Sequence, residues 1–175
     1  VCLHNLSNNF KVMKRQRFTG PLVAWEKDEV SSAIENTSRP NIIVTLGGHA
    51  YRRPLFDAII GAARILDDVD FYIFTKFTTN SYPENVKLMG IVPSVASYFK
   101  SASLIITQAG HSTAMELLTL GKPSLIVPDK KQIEQENNSR RLCELGVSTQ
   151  MKYDELSVNN LAHRIKMMLE SSCYA

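Results

Sequence analysis

The run Gln108-Ala-Gly-His-Ser-Thr-Ala-Met-Glu116, followed by Gly121-Lys-Pro123 and Gln135-Glu-Asn-Asn138, holds the residue types and spacings that could do chemistry. An apolar strand over 103–107 runs out where it begins, and a helical run ending at Leu120 continues it. A glycine directly after a strand lets the backbone turn sharply and approach a ligand closely. The next residues then stand at a helix N-terminus, where unpaired N–H groups and the helix dipole favour an anion. Glu116 lies one to two turns further on, within reach of a ligand held at that end. A phosphate cradle with a carboxylate beside it fits a nucleoside diphosphate whose ribose hydroxyls need an acceptor.

Such a cradle must be positioned by strands that end on one rim. Strand-like and helix-like runs alternate from Asn41 onward, which predicts an α/β fold, a doubly wound parallel sheet with helices on both faces. Strands are expected over 42–46, 71–75, 86–89, 103–107, 124–127 and 148–151. Pro54 suits a first helical turn, and Leu55, Phe56, Ile59, Ile60, Ala63 and Leu66 form a helical stripe behind it. Further helices are expected over 95–102, over 112–120 with Gly121 as C-terminal cap, and from about 135 to before Gly146. Ser157 can cap a last one, with Leu156 and Leu161 as a hydrophobic staple.

An open parallel sheet binds ligands beyond the carboxyl ends of its strands. The loops carrying Gly47-Gly48-His49, Ile91-Val92, Gly110 to Thr113 and Glu134-Gln135 all follow strands and should share that rim. Gly47-Gly48-His49 is neither a Gly-x-Gly-x-x-Gly fingerprint nor a Walker loop, since no Gly-Lys-Ser/Thr follows.

In order, these elements are Gly110-x-x-Thr113-x-x-Glu116, the Gly-Lys-Pro turn, a strand ending in Pro128, and Glu134-Gln135-x-x-Asn138. The series resembles the donor-binding half of GT-B glycosyltransferases, above all the family 28 type and the UDP-glucuronosyltransferase-like enzymes, over roughly 20–170. The resemblance implies a Rossmann-like half that binds a UDP-sugar of the UDP-GlcNAc, UDP-glucose or UDP-glucuronate type and stabilises the leaving UDP. It assigns diphosphate contacts to Gly47, Gly48, His49, Gln108, Gly110, His111, Ser112 and Thr113. It assigns uracil to Ile91 and Val92, ribose to Glu116, and the donor sugar to Glu134, Gln135 and Asn138. Gln108 stands where many relatives have histidine, and Ile91-Val92 where plant and animal relatives often stack a tryptophan. The resemblance further implies no cofactor and no obligatory metal, and a base supplied by an N-terminal acceptor domain or a separate acceptor subunit, so no catalytic residue is assigned here. Peripheral membrane association of the full-length protein would fit. Two alternatives share these features: a non-catalytic donor-binding subunit of a split transferase, and half of a UDP-GlcNAc 2-epimerase. The Thr113-x-x-Glu116 spacing favours the transferase.

Length and composition agree with one globular domain: 175 residues, 44% hydrophobic and 21% charged. A net charge of +3 suits phosphate ligands without arguing for nucleic acid. Cys2, Cys143 and Cys173 are odd in number and far apart, which fits neither a disulfide framework nor a zinc site and points to a cytoplasmic setting. Residues 1–40, with scattered Lys11, Lys14, Arg15 and Arg17 and a Gly20-Pro21 step, read as a linker or arm from an acceptor domain, and 41–175 as the donor domain. His4 and His163 are expected at the surface, and Trp25 as a packing residue in the arm.

Overall fold

Strand β1 (Asn41–Gly47) sends Ile42, Val44 and Leu46 into one apolar layer and Ile43 into another. A strand covered on both faces needs apolar side chains in both directions, which is why this run shows no polar alternation. The computed structural model describes residues 22–34 and 38–171. The expectations for Cys2, His4, Cys173, the early basic residues and the Gly20-Pro21 step lie outside the described residues. Around β1 are β2 (Asp70–Thr75), β3 (Val86–Leu88), β4 (Leu104–Thr107), β5 (Ser124–Ile126) and β6 (Ser148–Gln150). All neighbours pair in parallel, in the order β3-β2-β1-β4-β5-β6. The order reverses between β1 and β4, so the crevice at the carboxyl ends of those two strands is where this topology places a ligand.

Helices α1 (Arg53–Ile65) and α5 (Val158–Glu170) cover the Ile42 face, with Leu55, Phe56, Ile59, Leu161, Ile165 and Met168 in its core. Helices α2 (Ala96–Ser101), α3 (His111–Leu120) and α4 (Ile133–Glu144) cover the Ile43 face, through Phe99, Met115, Leu117 and Leu142. The doubly wound α/β sheet is therefore present. Strand ends move inward or outward by a residue, α3 begins at His111 instead of 112, and α4 begins two residues before the expected 135. Gly121 is the C-cap of α3, and Ser157 Oγ accepts from the Asn160 amide at 3.2 Å to cap α5. Leu156 and Leu161 share the α5 core, as a staple should. Among the described residues no helix is long and apolar enough to cross a membrane.

Residues 22–34 form a strap over the α2–α3 side. Val30 is buried, and Val23, Trp25 and Ile34 pack against the Ile43-face core. The Ala33 amide donates to the Ser97 carbonyl at 3.0 Å, the Ile34 amide to Ser101 Oγ at 3.1 Å, and Lys100 Nζ to the Lys27 carbonyl at 3.3 Å.

Helices α1 and α5 approach closely because Gly61 has no side chain. A Cβ there would stand 2.6 Å from Val158 Cγ2, a stiff β-branched side chain. Gly61→Ala should therefore destabilise the domain by about 1–3 kcal/mol, outweighing the ~1 kcal/mol that alanine gains as a helix former. Val158→Ala in the same chain should recover most of the loss in urea denaturation. A single variant as stable as the parent would show that Gly61 does not set the helix spacing.

Candidate functional site

At the switch point Thr45 Oγ1 and Thr107 Oγ1 meet at 3.0 Å, tying the ends of β1 and β4. The chain leaves β1 through Gly47 at φ +61°, a left-handed conformation that a side chain would strain. The Gly47 carbonyl accepts from Thr75 Oγ1 at 3.0 Å and from the Lys76 amide at 3.2 Å. Beyond the exposed Gly48, the His49 ring stacks on Tyr51 with centroids 5.3 Å apart.

Arg52 then locks this loop. Its Nη1 donates to the Leu46 carbonyl at 2.7 Å, and its Nε reaches both oxygens of Asp129 at 2.9 and 3.1 Å. The Asp129 side chain is 1% exposed, so the pair joins the β1–α1 loop to the β5–α4 loop away from water. Motif reading missed this pair. Its members are 77 residues apart, and an Arg and an Asp without periodicity carry no sequence signal.

The same aspartate occupies Gln135. The Asp129 amide donates to Gln135 Oε1 at 2.8 Å, and Gln135 Nε2 donates to Asp129 Oδ2 at 3.1 Å. Both ends of the side-chain amide expected to read the donor sugar are thus engaged within the chain. Asn138 is buried, and its Nδ2 donates to the Ala109 carbonyl at 3.0 Å. Its side chain braces the β4–α3 turn from α4.

That turn corrects the expectation about Gly110. Gly110 sits at φ −57°, ψ 159°, open to any residue, and the left-handed residue is the fully buried Ala109 at φ +56°. An alanine in that region costs about 1–2 kcal/mol, so its surroundings must hold it there. The Asn138 bond does so, together with a long 3.5 Å bond from the Ala109 amide to Thr107 Oγ1. What glycine provides at position 110 is room: a Cβ there would meet nothing within 4 Å.

Gly110 is the N-cap of α3 and no side chain caps it, so Ser112 is a first-turn residue and not a cap. The His111 amide, one of the free donors at this end, donates to Glu134 Oε1 at 3.0 Å. The chain's own carboxylate therefore meets the anion-favouring end of α3. Gln108, at the exit of β4, is 4% exposed, and its Nε2 has no protein acceptor among the described residues. A buried donor left unpaired costs ~1–3 kcal/mol, which makes this amide an unusual feature of the crevice.

Glu116 is half-buried on α3. Burial raises its carboxyl above the ordinary glutamate range, and a hydrogen bond from the Trp25 side chain pulls in the opposite direction. Ile91 and Val92 follow β3 at the sheet edge, three strand spacings or ~14 Å from β4. Ile91 is exposed, while Val92 packs in the cluster that contains Trp25 and Leu118. The fold thus gathers Gly47, Gly48, Gln108, Gly110, His111, Ser112, Thr113 and Glu134 around the switch point, with Glu116, Val92 and Trp25 along the α3 side. Asp68-Val69-Asp70 has Asp-x-Asp spacing, but it opens β2 at the opposite edge of the sheet, where Asp70 pairs with Arg39 at 3.7 Å.

Comparison with known proteins agrees with this arrangement. The family described as glycosyltransferase family 28 C-terminal domain matches residues 59–175. An uncharacterized glycosyltransferase of Methanosarcina mazei is 36% identical over 142 residues, covering 78% of this chain and 37% of that protein. The UDP-N-acetylglucosamine–N-acetylmuramyl-(pentapeptide) pyrophosphoryl-undecaprenol N-acetylglucosamine transferase of Bacillus cytotoxicus is 23% identical over 141 residues, covering 73% and 39%. The solved spinosyn rhamnosyltransferase SpnG, complexed with thymidine diphosphate, superimposes with a TM-score of 0.67 at 21% identity over 79% of this chain and 39% of that one. The chain spans well under half the length of such relatives.

Two outcomes follow from the geometry. Asn138→Ala should destabilise the domain by about 1–3 kcal/mol in urea, because it leaves the Ala109 carbonyl unpaired. A residue that only read sugar would leave stability unchanged. Glu116→Gln should raise the melting temperature at pH 7 and not at pH 3.5. The folded carboxyl holds its proton more tightly than the unfolded one, so the glutamate costs stability only above its ordinary value of 4.5. A melting difference that is flat with pH would exclude a desolvated carboxylate.

Proposed function

The chain belongs to the glycosyltransferase family 28 C-terminal domain family, and on that basis we propose that it is the half of a GT-B glycosyltransferase that holds a UDP-sugar donor. The observation that carries this reading is the crevice between β1 and β4. There the free amide end of α3, the open face of Gly110 and the unspent Gln108 amide converge. The diphosphate lies on Gly110, His111, Ser112 and Thr113, with Gln108 donating from below and Gly47, Gly48 and His49 closing the other side. Glu116 accepts from the ribose hydroxyls, and Ile91 and Val92 flank the uracil. Preorganised amides aimed at a leaving diphosphate lower the barrier for departure, a large catalytic term in a site screened from water.

A phosphate on α3 takes the amide that Glu134 now holds, and so releases the Glu134 carboxylate toward the sugar hydroxyls. Glu134 and, once it parts from Asp129, Gln135 then read the sugar, while Asn138 keeps the cradle in shape. The attacking hydroxyl and its base come from an acceptor half, joined through the N-terminal segment or supplied as a separate subunit. Because that half closes the cleft, this domain alone binds donor without turning it over. The setting that suits a UDP-sugar is the cytoplasm, with membrane contact left to the acceptor half.

Titration calorimetry tests the reading. UDP should bind with a dissociation constant of roughly 10 µM to 1 mM, about −7 to −4 kcal/mol, as expected for half a cleft. UDP should bind more tightly than thymidine diphosphate, whose deoxyribose offers Glu116 one hydroxyl fewer. Absence of heat and of NMR shifts at millimolar UDP would end the proposal. Glu134→Ala should act with opposite signs on two ligands: roughly two- to tenfold tighter UDP, from loss of the internal competitor, and a lower ratio of UDP-sugar to UDP affinity. Parallel losses for both ligands would show that Glu134 does not compete for the helix end.

A further inference from the structure

We propose that Trp25, on the strap outside the sheet, is a positioning residue of the donor site: its indole N–H orients the Glu116 carboxylate toward the ribose hydroxyls. The proposal rests on the reading of Glu116 as ribose acceptor and adds a residue from a segment that carries no part of the family motif.

Several observations lead to it. Trp25 is half-buried, and its ring packs against the cluster that includes Met89, Val92, Val95 and Leu118. Bonds from Ala33 and Ile34 to α2, and from Lys100 to the Lys27 carbonyl, fix the strap that carries it. The Trp25 side chain is hydrogen-bonded to Glu116. An indole has one polar atom, a donor, on a stiff two-torsion side chain, so a packed indole donates in one fixed direction. An ionised carboxylate has about four acceptor sites. One is taken by the indole, which leaves the remainder to face solvent or a ligand with the torsions of Glu116 already restricted. Without that bond a half-buried carboxylate on a helix samples several rotamers, and ribose binding would have to order it. The indole thus supplies through the strap what the aliphatic pair Ile91-Val92 cannot, a polar contact that fixes the nucleoside end of the site.

This chain has a single tryptophan, so its indole N–H gives one resonance in a nitrogen-edited NMR spectrum. UDP should shift that resonance, 2′,3′-dideoxy-UDP should shift it far less, and Glu116→Gln should move it without ligand. By affinity, the parent should prefer UDP over the dideoxy analogue. Trp25→Phe should weaken UDP binding roughly three- to tenfold, as for loss of one ordering hydrogen bond, and leave the dideoxy analogue unchanged. Glu116→Gln should remove the preference, and adding Trp25→Phe to it should change nothing further. If Trp25→Phe keeps the full preference while Glu116→Gln abolishes it, the proposal is wrong and the ribose reading of Glu116 stands. If Glu116→Gln also keeps the preference, both fall. Should the phenylalanine variant not fold, an indole resonance in the parent that responds alike to both ligands overturns the proposal on its own.

Discussion

The rim of this sheet depends on one buried ion pair. Arg52 leaves the loop after β1 and Asp129 the loop after β5, and their contact holds together two segments that the strand order separates by β4. A lone buried carboxylate would be costly, and here every neighbour works against that cost. The arginine offers a forked contact, Gln135 donates to an oxygen, and the aspartate amide is itself satisfied. Removing either charge would strand the other in the interior, so both loops are fixed by the same constraint. Any ligand that enters the β1–β4 crevice meets walls whose geometry was set before it arrived.

Within those walls the β4–α3 turn stores strain. Ala109 occupies a backbone region that suits glycine, and Asn138 and Thr107 hold it there from two sides. The strain lets the first amides of α3 face outward immediately after the strand. It also explains why Gly110, with ordinary torsions, must stay small: the space above it is open, and the approach of a phosphate to the backbone requires that space.

The sheet was legible in the sequence because its strands are buried on both faces and so written as unbroken apolar runs such as Ile42 to Leu46. Helix α3 and its glycine cap were legible for the same local reason, since 3.6-residue periodicity and Gly121 speak within a few residues of one another. The site was readable only as a set of positions. That Gln108, Gly110 and Glu116 belong together follows from spacing, but the turn falls at Ala109 because of a bond from Asn138, 29 residues away. The partners of Gln135 and the bond between Trp25 and Glu116 were hidden likewise, since tertiary proximity between an arm and a helix leaves no periodic trace. Position 138 shows the difference most sharply. Its motif place suggests a hand on the ligand, and its burial makes it a brace for the backbone.

The strap has a consequence for where this domain begins. Val23, Trp25, Val30 and Ile34 lie over the α2–α3 face, so a cut placed just before β1 would unroof Val92, Leu118 and their neighbours. Such a shortened chain would keep its entire sheet and every motif residue, yet carry a greasy scar where two copies could stick to each other. The folding unit, judged by what its own core requires, thus reaches back at least to Leu22, and a protease offered the intact protein should spare the strap.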